Sequence, residues 1–164
     1  MYFLSLALIV VLTAVDQIIK ILVDKHIALN EVINVIKFGD TKIFSLTHIR
    51  NTGAAWSMMS GKTWFLICLP VVVCVFALIY MYKIRKTKKL EMFSISLFVA
   101  GGIGNLIDRI RLHEVIDYIL FEPVDFPIFN FADICVVVGV ILFAAAMIFE
   151  EKKDKKEEKP VKNE

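Results

Sequence analysis

The chain has 164 residues, 58% of them hydrophobic, with a mean hydropathy of +0.70 and a formal net charge of +2. That apolar content excludes an ordinary soluble domain, and the small charge gives no case for a nucleic-acid partner. Three cysteines, Cys68, Cys74 and Cys135, lie in apolar stretches without a CxxC pair, so each is expected to be a buried, inert thiol rather than part of a disulfide framework.

A helix needs about 20 mostly apolar residues to cross the hydrocarbon core. Residues 2–23, 63–82, 92–110 and 131–149 qualify. The first lacks a basic leader region and a small-x-small cleavage site, and is expected to be a retained span. In the loop 24–62, two runs rich in Val, Ile, Phe and Thr, residues 31–38 and 42–50, flank the turn signal Gly39-Asp40-Thr41. They predict a β-hairpin or small sheet on the membrane surface. The expected fold is an all-α integral membrane protein of four transmembrane helices with a small extracytoplasmic β-sheet cradle. It occupies residues 1–149. The mixed-charge tail 150–164 is expected to be disordered.

Orientation follows from lysine and arginine. The loop 83–89 carries Lys83, Arg85, Lys86, Lys88 and Lys89, and the tail holds six lysines; the loop 112–130 has neither residue type. Both termini are therefore expected in the cytoplasm and the 112–130 loop outside. The lysines and arginine of the 24–62 loop weaken that contrast.

Ionisable groups in spans are costly and each needs a reason. Five polar clusters fall towards the outer end of the bundle. Asp16 and Lys20 share a helix face, which fits either a self-neutralised pair with Lys20 snorkelling to the interface or a buried carboxylate that orients other groups. Arg50-Asn51-Thr52-Gly53-Ala54-Ala55-Trp56-Ser57 reads as a turn before span two. Gly101-Gly102-Ile103-Gly104-Asn105-Leu106-Ile107-Asp108-Arg109 combines glycines for close helix approach with three polar groups on one face. Arg109 there calls for an anionic partner, such as Asp16 or a lipid phosphate. Asp117, in Val115-Ile116-Asp117-Tyr118, reads alone as an exposed loop acid. Asp133, in Phe129-Asn130-Phe131-Ala132-Asp133, reads alone as the third residue of a capped helix.

The last two acids are also brought to one membrane face, because Pro123 and Pro127 stop a continuous helix between them. Two close carboxylates share one proton. The ionised member can activate water while the protonated member polarises a peptide carbonyl. A helix N-terminus favours an anion, so Asp133 is expected to be the ionised partner and Asp117 the proton carrier. His26, His48 and His113 lack ligand spacing; no metal and no cofactor are called for.

These motifs together resemble the lipoprotein signal peptidase (signal peptidase II) family over nearly the whole chain except the tail. The residues that carry the resemblance are Asp16-Gln17-x-x-Lys20, Asn51-x-Gly53-Ala54-Ala55, Gly104-Asn105-x-x-Asp108-Arg109, Val115-x-Asp117-Tyr118 and Phe129-Asn130-x-Ala132-Asp133. The resemblance implies an aspartyl endopeptidase that cuts prolipoproteins just before a diacylglyceryl-modified cysteine. It implies Asp117 and Asp133 as the catalytic pair. Substrate contact, lipid contact or support of the pair falls to Asp16, Lys20, Asn51, Gly53, Asn105, Asp108, Arg109, Asn130 and Ala132. It further implies a bacterial cytoplasmic-membrane protein, a monomer, with membrane lipid and globomycin-type inhibitors as partners and a helical flap over the site. Trp56 and Tyr118 depart from the family pattern, which often has Phe at both. The rival readings are a proton-coupled transporter or channel subunit using the same carboxylates, and a scaffold in which the polar residues only bind helices together.

Overall fold

The computed structural model describes residues 1–53, 62–86 and 88–157. Four helices dominate: α1 (Tyr2–His26), α2 (Thr63–Lys83), α3 (Lys89–Leu112) and α4 (Phe131–Glu157). Each contains a stretch long and apolar enough to cross a bilayer, at the four places expected. The ends of α1, α2 and α3 shift outwards by up to three residues because polar residues such as Asp24, Lys25 and His26 continue the helix. Helix α4 runs on to Glu157, into the segment expected to be disordered. Its Glu- and Lys-rich sequence has high helix propensity and continues the apolar span without a breaker. Residues 158–164 lie outside the described set.

Helix α3 is the hub, with α1, α2 and α4 packed against it. Ile9, Met81, Ile84, Met92, Ile95, Val99 and Ala100 form the core of this packing. Val23, Ile27, Ile116 and Tyr118 form a second core. Many other apolar side chains face outwards, as a lipid solvent permits: Phe3, Val10, Phe76 and Ile141 are all exposed. Cys68 is exposed as well, contrary to the buried thiol expected; it lies on an outward face of α2, where lipid serves as well as protein to surround a small apolar group. Cys74 and Cys135 are buried.

Glycine brings α3 and α4 into backbone contact. A Cβ at Gly101 would lie 2.2 Å from the Ala132 carbonyl oxygen, and one at Gly139 would lie 2.8 Å from the Ser94 carbonyl oxygen. This close approach lets polar groups on two different spans meet directly at the end of the bundle.

A three-stranded antiparallel sheet sits beside that end: β1 (Val32–Phe38), β2 (Thr41–Asn51) and β3 (Val115–Phe121), in the order β1-β2-β3. The first two strands are the expected hairpin, turning at Gly39 with φ 60°. The third strand was not expected. Asp117 interrupts an otherwise β-branched and aromatic run and so suggested a loop, but the sheet carries the acid inwards: Val115 to Tyr118 are all buried. Pairing of Ile49 with Asp117 and of Asn51 with Val115 sets the end of β2 beside the acid. A bridge from Ile119 to Phe129 then returns the chain to the start of α4.

Candidate active site

Asn130, the residue before α4, makes a capping box with Asp133. The Asp133 backbone N–H donates to Asn130 Oδ1 (3.0 Å), and the Asn130 backbone N–H donates to Asp133 Oδ2 (3.0 Å). Two more N–H groups of this helix end find partners on other elements. Phe131 donates to the Tyr118 hydroxyl on β3 (3.1 Å), and Ala132 donates to Asp16 Oδ1 on α1 (3.1 Å). The donors left over at a helix start are thus used to tie α1, β3 and α4 together.

The same Asn130 reaches the other acid. Its Nδ2 donates to Asp117 Oδ1 at 2.7 Å, while Asn51 Nδ2 donates to Asp117 Oδ2 at 2.9 Å. Asp133 Oδ1 accepts from Asn105 Nδ2 at 2.7 Å. Each aspartate is therefore held by side-chain amides from two other segments or by one amide and one backbone N–H. Asp117 is 3% exposed, and burial pushes its pKa from 3.8 up to about 7. The Asn51 hydrogen bond opposes that rise and the nearby Asp133 charge adds to it. Burial also raises the Tyr118 hydroxyl above its usual range, so it stays neutral and accepts from Phe131.

Both aspartates line a cavity of about 340 Å³, together with Asn51, Asn105, Arg109 and the apolar Val136 and Val137. The loop residues Phe126 to Phe129 form its outer wall. Arg109 Nη2 donates to the Gly53 carbonyl oxygen (3.1 Å), and the Gly53 N–H donates to Asn51 Oδ1 (2.9 Å). The anionic partner expected for Arg109 in Asp16 is not what the fold provides, because Asp16 is engaged one layer deeper.

That layer is built on Lys20. Its ammonium contacts Asp16 Oδ2 (3.0 Å) and Asp108 Oδ2 (2.9 Å), and donates to Asn105 Oδ1 (2.9 Å). Lys20 is 1% exposed, so the snorkelling alternative is wrong: with two carboxylates and an amide around it, the ammonium has no need of water. Gln17 Nε2 reaches Asp16, Asp108 and the Gly104 carbonyl oxygen, each at 3.1 Å. Ala132 is fully buried against this layer, with its Cβ close to where a side chain on Gly104 would stand.

Five of the eleven residues singled out in the sequence thus line the cavity, and Asp16, Lys20, Asp108, Asn130 and Ala132 form the layer behind it. Gly53 connects Asn51 to Arg109. Ala54, Ala55, Trp56 and Ser57 lie outside the described residues. The hydroxyl of Tyr118 and the Phe126–Phe129 wall were not anticipated. The adjacency of Tyr118 to Asp117 was the signal for the first; an aromatic and Pro-rich loop carries no comparable signal.

Spans at these four positions and a carboxylate-lined cavity at one end of the bundle define a multi-pass membrane protein with the layout of a membrane-embedded enzyme. The family model for signal peptidase (SPase) II matches residues 8–149. The lipoprotein signal peptidase of Lactiplantibacillus plantarum is 38% identical over 150 residues, covering 92% of this chain and 97% of that protein. That of Lactococcus lactis subsp. cremoris is 41% identical over 156 residues, with the same coverage. Among solved structures, a bacterial membrane enzyme determined by the in meso method superimposes with a TM-score of 0.84 at 32% identity, over 96% of this chain and 94% of that one. A second gives 0.75 at 32% identity, over 87% and 91%. The chain belongs to the signal peptidase II family, and is a peptidase of the bacterial membrane.

Proposed function

We propose that this protein removes the signal peptide from prolipoproteins as an aspartic endopeptidase, cleaving before the diacylglyceryl-modified cysteine, with Asp117 and Asp133 as the catalytic pair. The observation that carries the reading is that both acids open on one cavity while each is oriented by amide groups from other segments. Asp133 takes a proton from water as the water attacks the scissile carbonyl. Asp117 passes its proton to the carbonyl oxygen, giving a tetrahedral diol. Collapse of the diol returns one proton to Asp117, and Asp133 delivers its own to the leaving amine, so both acids regain their starting states. Arg109, at the cavity wall, is placed to meet a substrate carbonyl or a lipid headgroup.

The lysine-rich 83–89 loop and tail favour cytoplasmic termini and an active site at the outer face. The protein acts as a monomer in this reading, and a globomycin-type inhibitor would occupy the cavity in place of substrate. Among the described residues the buried carboxylates Asp16, Asp108 and Asp117 lie at the cavity end and Glu91 at the first turn of α3, with no buried acid between them, which does not suit a proton path across the membrane. The test is a gel-shift cleavage assay on a lipidated prolipoprotein with Asp117→Asn and Asp133→Asn. Each variant should insert normally and lose roughly a thousandfold or more in rate. Retained cleavage in either overturns the assignment. A proton-flux defect without a cleavage defect would favour a transporter.

A further inference from the structure

Arg50 stands one residue before Asn51 on β2, and alternation along a strand puts the two side chains on opposite faces of the sheet. Asn51 lines the cavity and donates to Asp117 Oδ2. On the other face the Arg50 guanidinium is held from three directions. Nη2 meets Asp24 Oδ1 near the end of α1, and Nη1 meets Glu114 Oε1 in the turn between α3 and β3 (3.2 Å). Nε donates to His48 Nε2, two residues earlier on β2 (3.2 Å).

His48 is buried, and its neighbours set its tautomer. Nδ1 lies 2.9 Å from the Ile27 carbonyl oxygen, which can only accept, so Nδ1 carries the proton. The Arg50 Nε–H can only donate, so Nε2 is bare and receives it. The imidazole in this way links Arg50 to the first residue after α1.

Ion pairs open to water add little stability, and the side chains of Arg50 and Asp24 are 22% and 47% exposed. What the guanidinium adds is geometry. Its N–H groups diverge in a rigid fork, and partners on α1, β2 and the α3–β3 turn engage all three of its nitrogens. Asn51 is the last residue of β2, so its place depends on how that strand end is held. Asn51 pairs with Val115, and Ile49 with Asp117, so the amide reaches the acid diagonally across one face. A diagonal contact spans more distance than a direct one and is the more sensitive to a shift of the strand.

Helix α1 thereby reaches both acids, each through an asparagine. Lys20 leads through Asn105 to Asp133. Asp24, about one turn further on, leads through Arg50 and Asn51 to Asp117. We propose that Arg50 is a positioning residue for peptide-bond hydrolysis: its clamp to Asp24, Glu114 and His48 holds the end of β2 so that the Asn51 amide meets Asp117. This rests on the peptidase reading above.

The test uses the full-length protein in detergent micelles with a synthetic peptide bearing diacylglyceryl-cysteine, and measures kcat, KM and their pH profiles. Asp117 is faced by Asn51 from β2, Asn130 and Asp133 at the start of α4, Lys20 from α1 and Arg109 from α3. The Asn51 contact is the one that Arg50 holds. It opposes retention of the Asp117 proton, so weakening it should move the alkaline fall in kcat/KM to higher pH. Arg50→Lys keeps the charge but lacks the fork. It should lower kcat on the order of tenfold with KM little changed, and move that fall upwards. Asn51→Ala should do the same more strongly, and Arg50→Lys added to it should change nothing further. Lys37→Gln, which removes an exposed charge from β1, should behave as wild type. If Arg50→Lys fails to fold, Glu114→Gln removes one arm of the clamp and is read in the same way. A lower melting temperature with an unmoved pH profile overturns the proposal and leaves Arg50 a structural tether. A double variant whose two losses multiply overturns it as well. Failure of the wild type to cleave the peptide sinks the peptidase reading itself.

Discussion

Asn105 turns its side-chain oxygen to Lys20 and its nitrogen to Asp133. The Lys20 ammonium donates to Asn105 Oδ1 at 2.9 Å, and Asn105 Nδ2 donates to Asp133 Oδ1 at 2.7 Å. An ammonium has donors only, so Lys20, together with the Asn130 Nδ2 that donates to the same oxygen at 3.0 Å, fixes which end of the amide faces the acid. A buried charge cluster on α1 is in this way coupled to a residue at the cavity.

Replacing Lys20 by Met should therefore affect both stability and cleavage. The change leaves Asp16 and Asp108 buried without their cation, at a cost of about 3–5 kcal/mol. The amide of Asn105 also loses one of the two donors to its oxygen, the other being Asn130 Nδ2 at 3.0 Å. A fall in melting temperature in detergent, together with a loss of cleavage in the molecules that remain folded, is the expected result. An unchanged melting temperature would show that the cluster is not held as described.

Asn130 allows capping and positioning to be measured apart. Asn130→Ala removes both, and should cost about 0.5–2 kcal/mol from the lost cap. Asn130→Ser keeps a capping oxygen but cannot reach Asp117, which Asn130 Nδ2 contacts at 2.7 Å. The serine variant should melt closer to wild type than the alanine variant, while both lose cleavage to a similar degree. If the serine variant cleaves normally, the contact from Asn130 to Asp117 has no role in the reaction.

These contacts explain what could and could not be read beforehand. The spans were legible because lipid demands long apolar runs, and the β1–β2 hairpin because Gly39 punctuates two β-rich runs. The capping of α4 by Asn130 and Asp133 was legible from local spacing. The burial of Lys20 was not, since a single helix face cannot show that Asp108 arrives from another span. Strand β3 was obscured by Asp117 itself: a polar residue in a short apolar run suggests a loop unless the asparagines that receive it, Asn51 and Asn130, are known to be near.

Gly101 tests the α3–α4 contact. A methyl group there would stand 2.2 Å from the Ala132 carbonyl oxygen, a backbone atom that cannot rotate away. Gly101→Ala must push the start of α4 from α3, costing about 1–3 kcal/mol. It should also draw Asp133 away from Asn105. We expect a lower melting temperature and reduced cleavage together. A variant with wild-type stability would mean that the helices separate more easily than their packing indicates.

Asp117 should make both folding and catalysis depend on pH in the range where its proton is retained only by the native state. Its pKa is 3.8 in an unfolded chain and about 7 in the fold. Between these values the native protein binds a proton that the unfolded chain has released, so this residue's contribution to stability declines as pH rises through the window and is constant outside it. Asp117→Asn removes that decline. Relative to wild type, the variant should therefore gain stability between pH 4 and pH 8, by an amount on the order of a few kcal/mol. In catalysis the proton on Asp117 is the one delivered to the carbonyl oxygen, so kcat/KM for a lipidated peptide should fall as pH rises through about 7. The apparent value belongs to the pair with Asp133 and should shift in any variant that disturbs their shared asparagine, Asn130. A profile that stays flat from neutrality well into the alkaline range would remove Asp117 from the role of acid.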